Sequence, residues 1–110
     1  MSTPLEKEIM ADIKALLERQ GWMTVQLAQS RAAWKPLVGA PDLISFRSNH
    51  TLLIEVKRAR GIMREKQIEW ANKVSEHLGN NLHYIVARSK NDVANVILDM
   101  EIHMSKERRV

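Results

Sequence analysis

The sequence predicts an α/β fold in which helices flank a mixed β-sheet. Three observations support this prediction: apolar residues recur at helical spacing in three segments, short β-rich runs alternate with those segments, and glycine or polar clusters separate them. The chain has no Pro/Gly/Ser-rich stretch that could serve as an interdomain linker. We therefore expect one domain covering residues 1–110.

The N-terminal third predicts a helix followed by less regular structure. Leu5 to Arg19 carry an amphipathic apolar pattern that begins after Ser2, Thr3 and Pro4 and stops at Gly21, which is typical of a capped helix. Residues 22–28 are compatible with a short strand. Residues 29–40 lack a periodic pattern and are expected to form a loop.

The middle of the chain predicts a β-hairpin and then a helix. Residues 42–46 and 51–57 are β-rich runs separated by a polar tetrapeptide suited to a turn. Residues 64–78 place apolar side chains at helical spacing before Gly79, which predicts a helix with a glycine C-cap. The order so far is helix, short strand, hairpin and helix.

The C-terminal part predicts one more strand and one more helix. Residues 82–87 are β-rich. Ser89 and Asp92 stand three positions apart before an apolar stripe, a capping signature that predicts a last helix fading into the basic tail 106–109.

Composition limits the partners and the chemistry. Lys and Arg number 17 against 13 acidic residues, with a net charge of +4 and a pI near 9.7, which favours a polyanion such as nucleic acid. A solvated basic surface explains this charge equally well. Cysteine is absent and the four histidines lack zinc-ligand spacing, so a metal would need oxygen ligands. No apolar run suits a signal peptide or a membrane span, so we expect an intracellular, cytoplasmic protein without membrane contact.

The hairpin brings chemistry-bearing residues to one face. Side chains alternate along a strand, so Glu55 and Lys57 share a face. With the turn centred between Ser48 and Asn49, Asp42 lies opposite Glu55, and partners across strands have Cβ atoms about 4.5 to 5.5 Å apart. Two carboxylates this close favour a hard cation such as Mg²⁺, with the Val56 carbonyl as a further ligand.

This arrangement suits phosphodiester hydrolysis. Metal on Asp42 and Glu55 would acidify water and polarise a phosphate, while Lys57 would position that water or balance charge. The alternative is a surface hairpin whose charges merely pair across strands. The hydrophobic character of both runs favours the functional interpretation, because charges in a sheet interior are costly without a role.

Four motifs together resemble the virus-type replication-repair nuclease (VRR-NUC) family of the PD-(D/E)xK superfamily. They are GAPDL at 39–43, LIEVK at 53–57, QIEW at 67–70 and Gly79. The resemblance implies a restriction-endonuclease-like αβββαβ core, here followed by a C-terminal helix. It also implies Mg²⁺ or Mn²⁺ dependence and cleavage of DNA structures that arise in replication and repair. Stand-alone members are similar to Holliday junction resolvases and work as homodimers, in a bacterial or phage context.

The resemblance also implies an acidic residue in the first helix, for which Glu6 and Glu8 compete. Glu6 borders the apolar face and is favoured, whereas Glu8 points away; stabilisation of the helix dipole is the alternative role. Gln67 precedes the apolar stripe of its helix and is a candidate to contact water, Lys57 or phosphate. Trp70, at helical spacing, is interpreted as a packing residue rather than a base-stacking platform.

Basic residues near the candidate site are candidate phosphate contacts. One group follows the active strand and another lies in the loop around Trp34, which could contact DNA or a second subunit. The candidates are Arg31, Lys35, Arg58, Arg60, Arg64 and Lys66. A solvated charge run explains the group after the strand nearly as well.

The expected function is a structure-selective DNA endonuclease that resembles junction resolvases. Two alternatives remain open. One is a nuclease of the same superfamily that cuts flaps, splayed arms or duplex DNA. The other is a non-catalytic nucleic-acid-binding module, which the paired carboxylates argue against because they would repel an anionic ligand.

Overall fold

A computed structural model of the chain describes residues 4–27 and 38–107, with side chains described as far as residue 104. The elements within these ranges alternate as the sequence predicts and confirm the α/β class. In chain order they are α1 (Glu6–Arg19), β1 (Met23–Gln26), β2 (Leu43–Arg47), β3 (His50–Val56), α2 (Glu65–Ser75), β4 (Leu82–Ala87) and α3 (Lys90–Glu107).

The four strands form one mixed sheet in the order β1-β2-β3-β4. The first three are antiparallel to their neighbours, whereas β3 and β4 run parallel because α2 crosses over between them. This is the predicted αβββαβ core followed by a C-terminal helix. The crossover places the end of β3 beside the end of β4, so residues that follow these two strands meet at one edge of the sheet.

The hairpin register is confirmed. Leu43 pairs with Ile54 and Arg47 pairs with His50, the alignment required by a turn centred between Ser48 and Asn49. The turn is shorter than the predicted tetrapeptide, because Ser48 adopts a φ of 55° and closes the hairpin with two residues. Strands β2 and β3 therefore extend to positions 47 and 50, and their far ends stop at 43 and 56.

The apolar core lies between the sheet and helices α1 and α3. The inward positions of β3 share this face, as the alternation predicts. The core side chains are Ile9, Ile13, Leu17, Trp22, Leu43, Leu52, Ile54, Val56, Ile85, Ala87, Val93, Ile97 and Met100. Helix α2 lies on the opposite face, where Gln67 and Trp70 contact residues of β3 and β4. Gln67 is the buried residue of this helix.

Helix α2 ends earlier than predicted, and Gly79 is not its C-cap. The helix stops at Ser75, and Glu76 is the C-cap in a right-handed conformation. Gly79 instead donates its N–H to the Leu82 carbonyl, in the turn that leads into β4. Leu78 is 41% exposed, so another helical turn would gain no stabilising buried contact from this side chain.

The other boundaries differ by small amounts. β1 is shorter than the predicted run 22–28, of which residue 28 lies outside the described ranges. The predicted caps Ser2 and Thr3 also lie outside them; Leu5 occupies the N-cap position of α1, and Glu8 accepts its N–H. None of the helices in the described part of the chain is long and apolar enough to cross a membrane.

Candidate active site

Within residues 4–27 and 38–107, three hydrogen bonds hold Asp42 at the entrance to β2. Its N–H donates to the Ile54 carbonyl at 2.9 Å, and its own carbonyl accepts the Leu27 N–H at 2.8 Å. Its Oδ2 atom accepts the Val56 N–H at 2.8 Å. The carboxylate therefore reaches across to the last residue of β3, the direct neighbour of Glu55.

Glu55 and Lys57 form a buried ion pair on the α2 side of the sheet. Glu55 is 1% exposed and Lys57 is 6% exposed, and the lysine Nζ atom lies 3.6 Å from Glu55 Oε2. The Lys57 N–H donates to the Ala87 carbonyl at 3.0 Å, which fixes the lysine just beyond the end of β3. Removing two charges from water is costly, so their burial indicates a role other than surface pairing.

Gln67 connects the start of α2 to this pair. Its Oε1 atom accepts the Arg64 N–H at 2.8 Å, and its Nε2 atom donates to Glu55 Oε2 at 3.3 Å. A backbone N–H can only donate, so the amide oxygen must face Arg64 and the amide nitrogen must face the carboxylate. Gln67 thus caps α2 and orients Glu55 with one side chain.

Gly39 allows the loop before Asp42 to touch the start of α2. It has a φ of 87°, and a Cβ atom there would overlap the Lys66 carbonyl and stand 3.1 Å from the Gln67 nitrogen. Only glycine combines this conformation with so close an approach. The loop bearing Asp42 and the helix bearing Gln67 therefore fit together only without a side chain at position 39.

The donor chemistry fits a hard divalent cation. Asp42 and Glu55 offer carboxylate oxygens at neighbouring positions, and the Val56 carbonyl is the further oxygen expected from the sequence. No third carboxylate joins them in a metal-sized group within 4–27 and 38–104. Mg²⁺ commonly uses one or two carboxylates and fills its other positions with water and substrate phosphate, so two suffice.

Glu6 and Glu8 have different surroundings. Glu6 is exposed and borders a groove of about 300 Å³ with Arg58, Arg60 and Gly61. Glu8 accepts the Leu5 N–H at 3.4 Å and so serves the N-terminus of α1. Of the two, Glu6 is the one that faces the segment following Lys57, although it does not join the carboxylate pair in a metal-sized group.

The basic candidates divide into three sets. Arg58 and Arg60 are exposed in the turn directly after Lys57 and border the same groove as Glu6. Arg64, at the N-cap of α2, is also exposed, whereas the Lys66 Nζ atom lies 3.3 Å from Glu69 Oε2. The candidates Arg31 and Lys35, together with Trp34, lie outside the described residues.

Arg88 shapes the turn that carries Arg58 and Arg60, and the sequence did not single it out. Its Nη1 atom donates to the carbonyls of Arg58 and Gly61 at 2.7 Å each and to that of Ala59 at 3.3 Å. The only sequence signal is its position directly after a predicted strand. Its partners are about 30 residues away in the chain, so the contact depends on the parallel pairing of β3 and β4.

Tyr84 is a second residue that sequence reasoning missed. Its ring packs against Trp70, with centroids 6.2 Å apart, which agrees with the interpretation of Trp70 as a packing residue. Burial raises the pKa of Tyr84 to about 12, helped by the negative charges of Glu55 and Asp42. The phenol therefore belongs to the surroundings of the carboxylate pair.

Comparison with known proteins gives a family match and a similar fold. The family profile described as archaeal Holliday junction resolvase (Hjc) matches residues 6–110. The fold is similar to that of a solved structure called a VRR_NUC domain protein, with a TM-score of 0.68, 20% sequence identity, and coverage of 91% of this chain and 90% of that chain. A search of curated proteins found no significant match. Both matches lie in the PD-(D/E)xK nuclease superfamily, and the chain belongs to the archaeal Holliday junction resolvase family.

Proposed function

We propose that this protein is a metal-dependent endonuclease that cuts branched DNA, with four-way junctions as its preferred substrate. The observation that carries the proposal is the buried Glu55–Lys57 pair, with Asp42 bound to the residue between them. A module that only binds DNA gains nothing from carboxylates facing an anionic ligand. The family match supports a resolvase-like nuclease and a DNA substrate.

The residues of the site have distinct proposed roles. Asp42 and Glu55, with the Val56 carbonyl, would hold Mg²⁺ or Mn²⁺, which when bound supplies an acidified water and neutralises phosphate charge. Lys57 would orient the attacking water or balance charge as it develops on the phosphate. Gln67 would keep Glu55 in place through the 3.3 Å hydrogen bond.

The groove beside the site would hold the DNA backbone. Arg58 and Arg60 line it directly after Lys57, and Arg88 fixes their turn through three carbonyls. Arginine binds phosphate through a planar fork of donors, so these two side chains suit the strand being cut. Glu6, which borders the same groove, is the proposed acidic residue that the first helix contributes to the site.

We also propose that the whole chain acts as one nuclease domain within a homodimer. Ile68 on α2 is 46% exposed, and Leu78, three residues beyond the end of that helix, is 41% exposed. These two apolar side chains have little to pack on within the described part of one subunit, so they offer a face for a second copy. Pairing two copies through this face would give two cutting centres for the two symmetric strands of a junction.

The dimer proposal has its own test. Ile68→Glu should convert a dimer into a monomer in sedimentation velocity, and it should leave one strand of each junction uncut. Leu98→Glu is the matched control, since Leu98 is 55% exposed on α3. A wild-type protein that sediments as a monomer at micromolar concentration would contradict the proposal.

The function is tested by incubating labelled four-way junction, flap, splayed-arm and linear duplex DNA with the protein. We expect cleavage with Mg²⁺ or Mn²⁺, none with EDTA, and the highest rate on the junction. Equal or faster cutting of flaps or duplex would favour the alternative substrate class in the same superfamily. Binding without cleavage under every metal condition would favour a binding module and overturn the nuclease proposal.

A further inference from the structure

Ile62 exposes an apolar side chain in the turn that follows the candidate active site. It is 81% exposed, more than any other large apolar residue that the structure describes. Apolar surface in contact with water is unfavourable, and isoleucine is typical of strands and cores rather than of turns. The side chain adds little to folding in the described part of the chain, so most of its apolar surface remains available to a partner.

The turn that carries Ile62 lies against Lys57. A Cβ atom added to Gly61 would stand 3.6 Å from the Lys57 Cβ atom and 3.3 Å from the backbone of Arg58. Ile62 directly follows Gly61, and consecutive Cα atoms are about 3.8 Å apart. Gly61 also borders the groove that Arg58 and Arg60 line. The exposed side chain therefore stands beside the groove that is proposed to hold the DNA backbone.

Hydrogen bonds hold this turn in one shape. The Gly61 N–H donates to the Arg58 carbonyl at 2.9 Å. The Arg88 Nη1 atom donates to the carbonyls of Arg58 and Gly61 at 2.7 Å each. A side chain on an ordered turn loses less conformational entropy when it binds than one on a loose segment. Ile62 is thus presented on backbone that is already held in place before a partner arrives.

The charges around Ile62 favour a polyanion as its partner. Residues 57–64 contain Lys57, Arg58, Arg60 and Arg64 and no acidic residue, and the three arginines are exposed. A second copy of this chain would bring the same basic turn and the same net charge of +4, which opposes self-association through this turn. DNA offers phosphates to the arginines and flat base faces to an apolar side chain.

We propose that Ile62 is a wedge that contacts the bases at the branch point of the DNA and so contributes to the selection of branched over linear substrates. This role rests on the proposed nuclease function. Proteins that kink DNA insert isoleucine and other apolar side chains between base steps. At a branch the stacking of bases is already interrupted, so this contact costs less there than inside a continuous duplex.

Binding without metal separates this role from a structural one. In EDTA, we expect Ile62→Ser to bind a four-way junction roughly tenfold more weakly than the wild type, the order expected for burying one aliphatic side chain. Its affinity for linear duplex and its melting temperature should be unchanged, because the side chain is exposed in the free protein. Ile62→Met keeps an apolar side chain and should bind the junction as the wild type does. Leu98→Ser, at an exposed position of α3, is the matched control and should change neither affinity.

A fluorescent adenine analogue placed at the branch point reports the contact itself. Its emission rises when its stacking is lost, so we expect the wild type in EDTA to brighten it and Ile62→Ser to leave it unchanged. An Ile62→Ser protein that keeps the wild-type preference for the junction, or that still brightens the analogue, would overturn the inference and leave the nuclease proposal standing.

Two further outcomes would also be decisive. A shift of Ile62→Ser from dimer to monomer in sedimentation velocity would assign the side chain to contact with a second subunit and overturn the inference. Cleavage in Mg²⁺ tests the nuclease proposal separately. A wild type that prefers the junction through Ile62 but cuts no DNA would overturn the nuclease proposal and leave the branch-point contact standing.

Discussion

The Oδ2 atom of Asp42 accepts a hydrogen bond from the Val56 N–H at 2.8 Å. This bond attaches the acidic residue that precedes β2 to the backbone at the end of β3. Asp42 consequently has two separable roles. One oxygen accepts the Val56 N–H at the end of β3. The negative charge is the proposed attraction for a cation.

Two substitutions of Asp42 should distinguish these roles. Asp42→Asn keeps an oxygen that can accept the Val56 N–H but loses the charge. We expect it to abolish cleavage and weaken Mn²⁺ binding with a small change in stability. Asp42→Ala loses both roles and leaves a buried N–H unsatisfied. It should therefore lower the free energy of unfolding by about 1–3 kcal/mol more than Asp42→Asn does. Urea denaturation and Mn²⁺ titration measure these effects, and equal stability of the two variants would contradict the assignment.

Lys57→Met should slow cleavage by at least about 100-fold, because the aliphatic stem remains while the ammonium group is lost. The folded protein should also lose stability, since Glu55 would remain buried beside an apolar side chain. Lys73→Met is the matched control: Lys73 is exposed on α2, and its loss should change neither rate nor stability. Cleavage by Lys57→Met at the wild-type rate would disprove the proposed role of Lys57.

Gln67→Glu replaces the amide nitrogen that faces Glu55 with an oxygen. It retains the oxygen that accepts the Arg64 N–H, so the start of α2 should persist. The new negative charge would repel Glu55 and should reduce cleavage near neutral pH, with partial recovery as the pH falls and one carboxylate gains a proton. A cleavage profile across pH checks this prediction, and a profile identical to that of the wild type would count against it.

Gly39→Ala should be among the most damaging small substitutions in the chain. The added methyl group would meet the Lys66 carbonyl, and alanine disfavours the φ of 87°. The loop bearing Asp42 and the start of α2 would have to separate. We expect a loss of several kcal/mol in unfolding free energy, of the order seen for overpacking combined with backbone strain. Gly21 also has a positive φ, but there is open space around it. Gly21→Ala should therefore lower the free energy of unfolding by less than Gly39→Ala, as measured by chemical denaturation.

Alkaline titration should reveal the buried phenol of Tyr84. Its pKa is about 12 in the folded protein against 10.0 for the ordinary side chain. Between these values the unfolded chain loses the proton while the folded protein keeps it, so stability present below pH 10 declines as the pH rises toward 12. The unfolding free energy of the wild type should fall more steeply in this window than that of Tyr84→Phe. Parallel curves for the two proteins would show that the phenol is not buried as described.

Local sequence patterns were sufficient for the strand register and for the residues that it aligns. Period-two alternation and a short polar turn predicted that Leu43 pairs with Ile54, and the structure has this pairing. The turn itself was predicted too long, because the positive φ of Ser48 cannot be inferred from its side chain. The end of α2 was predicted too late, because the pattern does not show that Leu78 remains exposed.

The sequence by itself determined the order of elements, the alternation that puts Glu55 and Lys57 on one face, and the family to which these motifs belong. Only the tertiary structure decided which distant groups complete the site. Gln67 reaches Glu55 because α2 crosses over the sheet. Tyr84 lies on β4 and Arg88 directly follows it, and parallel pairing brings both beside β3. Hairpins are encoded locally because their strands are adjacent in the chain. A crossover joins residues about 30 positions apart, and its geometry is fixed by packing over the whole sheet.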